Sequence, residues 1–549
     1  MKKIALVLVA ALLAGCASIP TSGPVKVLGN VIDEGEIDSV RVIVRPPTGD
    51  MTPDEIVQGF IAAQASTTNG YAGARQYMTP AASNQWQPTQ TLVIDQSVSQ
   101  TQMITESDVR FTTGHIGTLG EDHRYILTAS QQNIDIDFTV VETDSGWRVD
   151  SAPQTALMTK RDFFRNYKSS TIYFMNDDFT RLVPDVVWVS RSDSTAPTRL
   201  MRILLAGPDG LLGQALRTAI PAGSELAIGA VTNVDGLMTV ELNAAALRVG
   251  QSQRIAMLAQ IVWTLTTTTG VNLVLVKAGG QNLEVANTSK LSRNEFKGLN
   301  PDRQPPTDGV FYVDEGLLSR GPLGEGKAFG TMPNVQALTV SANGLKIAAV
   351  SNGSAILTTS ANPSTRERVA QDVVGVDFDL RGRLWLVKSD GSIWIKNGDN
   401  PIEEVLGLPR SQKALSIAHA SDGARVAIIT SDGAEPHLNI FGVINSSTGV
   451  SLTEPIRLEQ EFTETLDASW PNSTELMVLA RKGVDQPAVR FLPLDGTDSR
   501  SIGGPFDLRQ VFSRFDLPAV AVTTQGNVWK FVAGEWTLVN RVTAMAYVD

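Results

Sequence analysis

A turn that returns at a near-constant interval constrains the C-terminal half of this 549-residue chain more than any other feature. It occurs as Asn343-Gly344-Leu345-Lys346-Ile347, Arg381-Gly382-Arg383-Leu384-Trp385, Asp422-Gly423-Ala424-Arg425-Val426 and, degraded, Asn472-Ser473-Thr474-Glu475-Leu476. A short apolar segment precedes each copy: Ala337 to Val340, Val374 to Phe378, Ala414 to Ala418 and Leu466 to Trp470. Further turns follow downstream at Asn352-Gly353, Asp390-Gly391, Asp432-Gly433 and Gln525-Gly526-Asn527. Asn-Gly and Asp-Gly between alternating segments favour hairpins, because both central residues reach positive φ at little cost. Units of several strands spaced by roughly 40 to 50 residues are the pattern of propeller blades. At the chain end, Val542 to Val548 reads as the first strand of a blade whose last two strands lie in Val310 to Leu318. Joining the two ends would close the ring and remove an open edge strand. The expectation is an all-β propeller over residues 300–549 with five to seven blades, six being favoured. Calcium or sugar contacts are conceivable at Ser389-Asp390-Gly391 and Ser431-Asp432-Gly433, but turn chemistry alone accounts for both loops.

The other end of the chain carries its single cysteine. Cys16 closes the run Leu13-Ala14-Gly15-Cys16, behind Lys2, Lys3 and an apolar stretch from Ile4 to Leu13 that is too short to span a bilayer. This pattern resembles the lipobox of bacterial lipoproteins. The resemblance implies that residues 1–15 are a signal peptide cut between Gly15 and Cys16. It also implies that Cys16 carries S-diacylglycerol and an N-palmitoyl or similar acyl group. Two or three acyl chains, at about 0.8 kcal/mol per buried methylene, hold a protein on a membrane far more firmly than one does. A single thiol excludes a disulfide within the chain. Residues 16–47, with Pro20, Pro24, Pro46 and Pro47, read as a tether, and no second long apolar run follows. The body is therefore expected at the cell membrane, lipid-anchored and facing the extracytoplasmic side.

With 42% hydrophobic and 19% charged residues, that body has the composition of globular domains. A formal net charge of −11 argues against nucleic acid as a partner and disfavours close approach to anionic headgroups.

Two α+β domains are expected before the propeller. Over residues 48–168, Thr52-Pro53-Asp54-Glu55 is a helix start, with Ile56, Phe60 and Ala63 as its buried stripe. Tyr71 to Trp86 reads as a second helical stretch, followed by alternating segments and a hairpin at Thr143-Asp144-Ser145-Gly146. Helices followed by antiparallel strands, together with Ala74 to Pro80, resemble an NTF2-like module. His115, Glu121, Asp122 and His123 form its one polar cluster that invites a metal assignment, but they lack a ligand spacing and read as loop residues. Over residues 169–290, a strand and turn at Thr171 to Asp185 precede Leu204-Leu205-Ala206-Gly207-Pro208 and Ala219-Ile220-Pro221-Ala222-Gly223. A helix follows in which Ile255, Leu258, Ala259, Val262 and Leu265 share a face, with Trp263 as a core residue. These segments, with Ala259 to Leu265, resemble the GerMN domain, an interaction module for which no catalytic residue carries over.

Lipobox, NTF2-like module, GerMN domain and propeller, in that order, resemble one family over essentially the whole chain, the actinobacterial LpqB lipoproteins. The resemblance implies an accessory that contacts the extracytoplasmic part of the sensor histidine kinase in an MtrA–MtrB type two-component system, acting in envelope homeostasis and division. A passive envelope scaffold or a glycan-binding module in contact with a cell-wall component is the alternative, and a propeller enzyme acting on wall material is a third. His115, His123, His419 and His437 are the chain's four histidines, and none lies in an H-E-x-x-H pattern. No G-x-S-x-G elbow, P-loop or glycosidase-like carboxylate pair stands out. The reading is of a non-enzyme without cofactor, metal or catalytic residues, whose site residues are Gly15 and Cys16.

Overall fold

The computed structural model describes residues 45–303, 309–458, 462–515 and 517–548, without the side chains of 129–132. Gly15, Cys16 and the tether up to residue 44 lie outside these residues.

The first helix, α1 (Pro53–Ala63), begins where its sequence directs. The Thr52 backbone N–H donates to the Glu55 carboxylate at 2.8 Å, and Ile56, Val57, Phe60 and Ala63 are buried. The expected second helix is instead two pieces, α2 (Thr68–Arg75) and α3 (Pro80–Gln85). The break has a cause in hydrogen bonding. Tyr77 and Thr79 pair through their backbones with Val149, at 2.8 and 2.9 Å, which pulls the segment out of helical geometry. Thr79 then caps α3 by accepting from the Ala82 N–H, with Pro80 in the first turn.

Against these helices lies a curved sheet of β1 (Gln90–Met103), β2 (Asp108–Leu119), β3 (Tyr125–Thr143), β4 (Gly146–Ser151) and β5 (Thr155–Thr159), in the order β4-β3-β2-β1-β5. Its long strands run well past the alternating segments seen in sequence, because bulges carry the pairing onward. One lies at Val93/Ile94, and a wide one spans Asp95 to Gln100. Phe60 packs edge-on to Trp86 and Phe138, with ring centroids 5.3 and 6.0 Å apart, at the centre of the core. A short helix, α4 (Lys160–Asn166), leads into the next domain.

That domain opens with a two-stranded ribbon, β6 (Tyr167–Met175) and β7 (Leu182–Ser190). Helix α5 (Ala196–Ala206) stops at Gly207, whose φ of 94° ends it. The hairpin β8 (Thr232–Val234) and β9 (Leu237–Leu242) follows, and α6 (Gln251–Leu265) connects β9 to its parallel neighbour β10 (Leu273–Ala278). Gln260, fully buried on α6, accepts from the Ala219 N–H at 2.6 Å and donates to the Tyr173 carbonyl at 3.0 Å. One amide thus ties the Ala-Ile-Pro segment to β6 by satisfying a backbone N–H on one and a carbonyl on the other. Trp263 packs edge-on to Tyr173, and Arg293 lies 4.5 Å over its ring.

Among the described residues six blades follow, each a four-stranded antiparallel sheet with one added short strand in the fourth. In the first blade, the chain-terminal strand Ala544–Ala546 pairs with Val310–Asp314, followed outward by Leu317–Gly321 and Lys327–Thr331. The start of the domain therefore contributes three strands rather than the expected two. The third, exposed along most of its length, has no buried alternation to betray it.

Three of the four downstream turns share a task with the turn at Glu315-Gly316, while beyond Asp432-Gly433 it falls instead to the Pro436 carbonyl, which accepts from the Thr465 N–H at 2.8 Å. Carbonyls of Gly316, Gly353, Gly391 and Gly526 accept from the N–H groups of Met332, Val373, Ala414 and Val542, at 2.7 to 3.0 Å, each at or beside the start of the next inner strand. Each of these turns thus fastens its blade to its neighbour. At Gly391, φ is 89° and a Cβ would sit 2.7 Å from the Lys413 Cα, so the fit demands glycine.

Candidate functional site at the domain junction

The ribbon β6–β7 is where the three domains meet. Strand β7 is buried almost throughout, although a ribbon has only one sheet face to bury against its own domain. Its other surfaces are covered by the first domain and the propeller. Trp188 packs against Phe163 and Tyr125 at 5.0 and 6.0 Å, and its indole N–H donates to the Asp495 carbonyl at 3.2 Å. From β6, the Ser169 hydroxyl donates to the Asp495 carboxylate at 2.8 Å.

Charge is buried here in pairs. Arg124, in the turn before β3, donates to both oxygens of Asp185, at 2.5 and 3.4 Å. Burial pushes the Asp185 carboxyl upward, and the guanidinium pulls it back. Nearby, the fully buried Asp422 accepts from Arg425 at 2.5 and 2.9 Å, and Arg425 also reaches the Ser473 carbonyl at 2.6 Å. Asp422 and Ser473 belong to the repeated first turns of the fourth and fifth blades. The second domain, continued past residue 290 by the helical segment Arg293–Leu299 that packs on α6 and the turn after it, grips the same turns: Asn176 donates to the Asp422 carbonyl at 3.1 Å, and Asp302 accepts from the Ser473 N–H at 2.5 Å. Asp177 bridges two blades, pairing with Arg381 of the third at 2.5 Å and accepting from Asn445 of the fourth at 2.8 Å. A gap of about 80 Å³ remains between Arg124, Trp188 and Arg425, enough for a few waters and too small for a ligand. Chemically, the junction is a lock, since removing one member of a buried pair strands the other charge.

The polar cluster of the first domain is not assembled for metal. His115 lies on β2, paired with Ile94, rather than in a loop, and only Glu121, Asp122 and His123 sit in the turn before β3. His115 bonds Thr118 through Nε2 at 3.0 Å, and Asp122 accepts from the Arg124 backbone and side chain at 3.1 and 3.3 Å. The His123 carbonyl accepts from the Trp188 N–H at 2.7 Å. Burial lowers both imidazoles, with Arg199 adding to the effect at His123. Among the described residues no three metal-ligating side chains converge. Asp390 and Asp432 accept from the turn N–H groups of Ser392 and Ala434 at 2.9 and 3.1 Å. In the third blade the same arrangement recurs, with Arg383 donating to Asp379 at 2.6 Å and to the Asn445 side-chain carbonyl at 2.7 Å. The sequence signal for the lock is thus an acid three or four residues before an arginine in a repeated first turn, Asp379 to Arg383 and Asp422 to Arg425, which turn chemistry alone does not single out.

Three family profiles match in succession: the lipoprotein LpqB N-terminal domain over residues 46–164, the sporulation and spore germination domain Germane over 171–284, and the lipoprotein LpqB β-propeller domain over 325–547. The chain belongs to the LpqB lipoprotein family. Proteins named Lipoprotein LpqB align along most of its length. That of Thermobifida fusca is 24% identical over 94% of both chains. The Streptomyces avermitilis protein is 28% identical over 96% of this chain and 94% of its own. That of Cutibacterium acnes is 26% identical over 90% of this chain and 89% of its own. The LpqB order of domains is thus the order in which the lock is built, with Arg124 from the first, Asp185 from the second and Arg425 from the propeller.

Proposed function

We propose that this protein is a lipid-anchored extracytoplasmic accessory that works by binding another protein, the outer part of a sensor histidine kinase of the MtrA–MtrB type. The observation that supports this reading is the division of labour between the two propeller faces. The first turns of the third to fifth blades are taken up by the second domain through Asp177, Asn176 and Asp302. Among the described residues, the opposite end of the blades, where inner strands begin, presents exposed apolar side chains. There Val374 and Leu415 are half exposed, while Phe506 and Val484 are 83% and 99% exposed. Apolar side chains presented on a rigid body suit a protein partner. Lipidation at Cys16 would hold that body at the membrane, where a kinase's outer domain lies.

In-cell crosslinking of the tagged protein, with Cys16→Ser as the unanchored control, tests the reading. Anchor-dependent recovery of a sensor kinase, lost in a Val484→Asp/Phe506→Asp variant of unchanged melting temperature, is the expected result. Recovery of wall polymer alone would replace it with the glycan-binding alternative.

A further inference from the structure

Two cavities of about 670 and 620 Å³ lie side by side against the sheet of the first domain and helix α4, the larger bounded also by the propeller and the other by helix α1. They share Ile94, Gln96, Thr159, Asp162 and Arg165 as common walls, so they form one divided cleft. Each has the volume of a small-molecule site. The wide bulge of β1 overhangs the division and is held by its own hydrogen bonds. Asp95 accepts from the Ser97 N–H and hydroxyl at 2.9 and 2.7 Å, and Ser99 donates to the Asp95 carbonyl at 2.9 Å. Bulges built in this way re-aim side chains beside sites.

The chemistry of the two compartments differs. The inner one has an apolar floor that includes Ile61, Phe111, Leu157 and Met158. The outer one is charged and reaches the propeller at Thr497 and Asp498. On the dividing wall, Arg165 is oriented by an ion pair with Asp162, which in turn accepts from the Thr159 hydroxyl at 2.8 Å. The Arg165 Nε is nevertheless buried without a partner. An unsatisfied buried guanidinium N–H is costly, and a carboxylate is its natural complement. Three cations, Lys160, Arg161 and Arg165, and three acids, Asp95, Asp162 and Asp498, line the outer compartment; Lys160 pairs with Asp498 at 2.7 Å and Arg165 with Asp162, and Arg161 is exposed on the same helix. Gln58, Gln96 and Gln100 around the inner compartment supply amides that suit peptide groups and that an acyl chain would leave unpaired.

We propose that this cleft binds a short peptide with a free carboxylate, the carboxylate at Arg165 and Arg161 and an apolar side chain over Phe111 and Leu157. A ligand seated there would touch both the first domain and the propeller. The inference does not depend on the partner reading.

Saturation-transfer NMR on the full non-lipidated protein would test it, using a pool of N-acetylated tripeptide free acids, the same pool as carboxamides, and laurate. Transfer to the free acids is expected, weakened about tenfold or more for the carboxamides. Arg165→Gln should reduce it similarly, and Gln96→Trp, which blocks the cleft from an exposed bulge, should abolish it with the melting temperature unchanged. Silence from both peptide pools, equal signals from acids and carboxamides, or transfer surviving Gln96→Trp would each overturn the proposal. Laurate outcompeting the peptides would overturn the peptide assignment.

Discussion

Asp467 shows how much one side chain can be asked to do. Its carboxylate accepts from the Val511 N–H of the next blade at 2.8 Å, and burial raises its pKa to about 7 despite that bond. The folded chain therefore keeps a proton that the unfolded chain releases near its ordinary value of 3.8. Its contribution to stability is full below about pH 4 and is lost as pH rises to about 7. Asp467→Asn should flatten this part of the profile, so denaturation midpoints of wild type and variant should diverge progressively between those limits. If they stay parallel, the carboxyl is ionised throughout. The Arg124–Asp185 pair offers a second test at this scale. Arg124→Met strands a buried carboxylate and should cost about 3 to 5 kcal/mol by urea denaturation, much of it recovered in Arg124→Met/Asp185→Leu. Neither effect was legible in sequence, since a lone Asp says nothing of its neighbours until blades and domains bring them.

At the scale of elements, the glycine staples and the terminal strand carry the propeller. Gly391→Val would force a Cβ against the Lys413 backbone at positive φ, and it should loosen the joint between the third and fourth blades. Faster hydrogen exchange at the Ala414 N–H, which the Gly391 carbonyl now protects at 3.0 Å, is the expected readout. Removal of Val542–Asp549 should expose the inner edge of Val310–Asp314 and the apolar side chains packed on it. Proteolysis would then begin in the propeller while the first two domains resist. The repeated turns and the closing strand could be read from sequence because turn chemistry is local. The strand Lys327–Thr331 and the break before Pro80 could not, since the former has no buried face and the latter is imposed by Val149 across the fold. For the cleft, the mostly polar run Asp95–Gln100 carries no alternation of its own, and only the resumed pairing with β2 shows it to be a bulge.

The three domains form one mechanical unit, because polar groups buried at the junction lose their partners if the domains part. Calorimetry of the intact protein should give a single transition. An Asp177→Ala/Asp302→Ala variant, which releases the second domain from Arg381 and Ser473, should resolve it into two. A separate transition in the wild type would mean that the lock holds less tightly than its bonds imply. The strand that closes the ring pairs with the opposite end of the propeller's own sequence, so one blade is shared between residues more than two hundred positions apart. Five blades can each form from neighbouring segments, whereas the first waits for all the others to be in place. The ring is thus a latch that engages only when every blade has folded, and a propeller with one blade missing or misfolded keeps an unpaired edge.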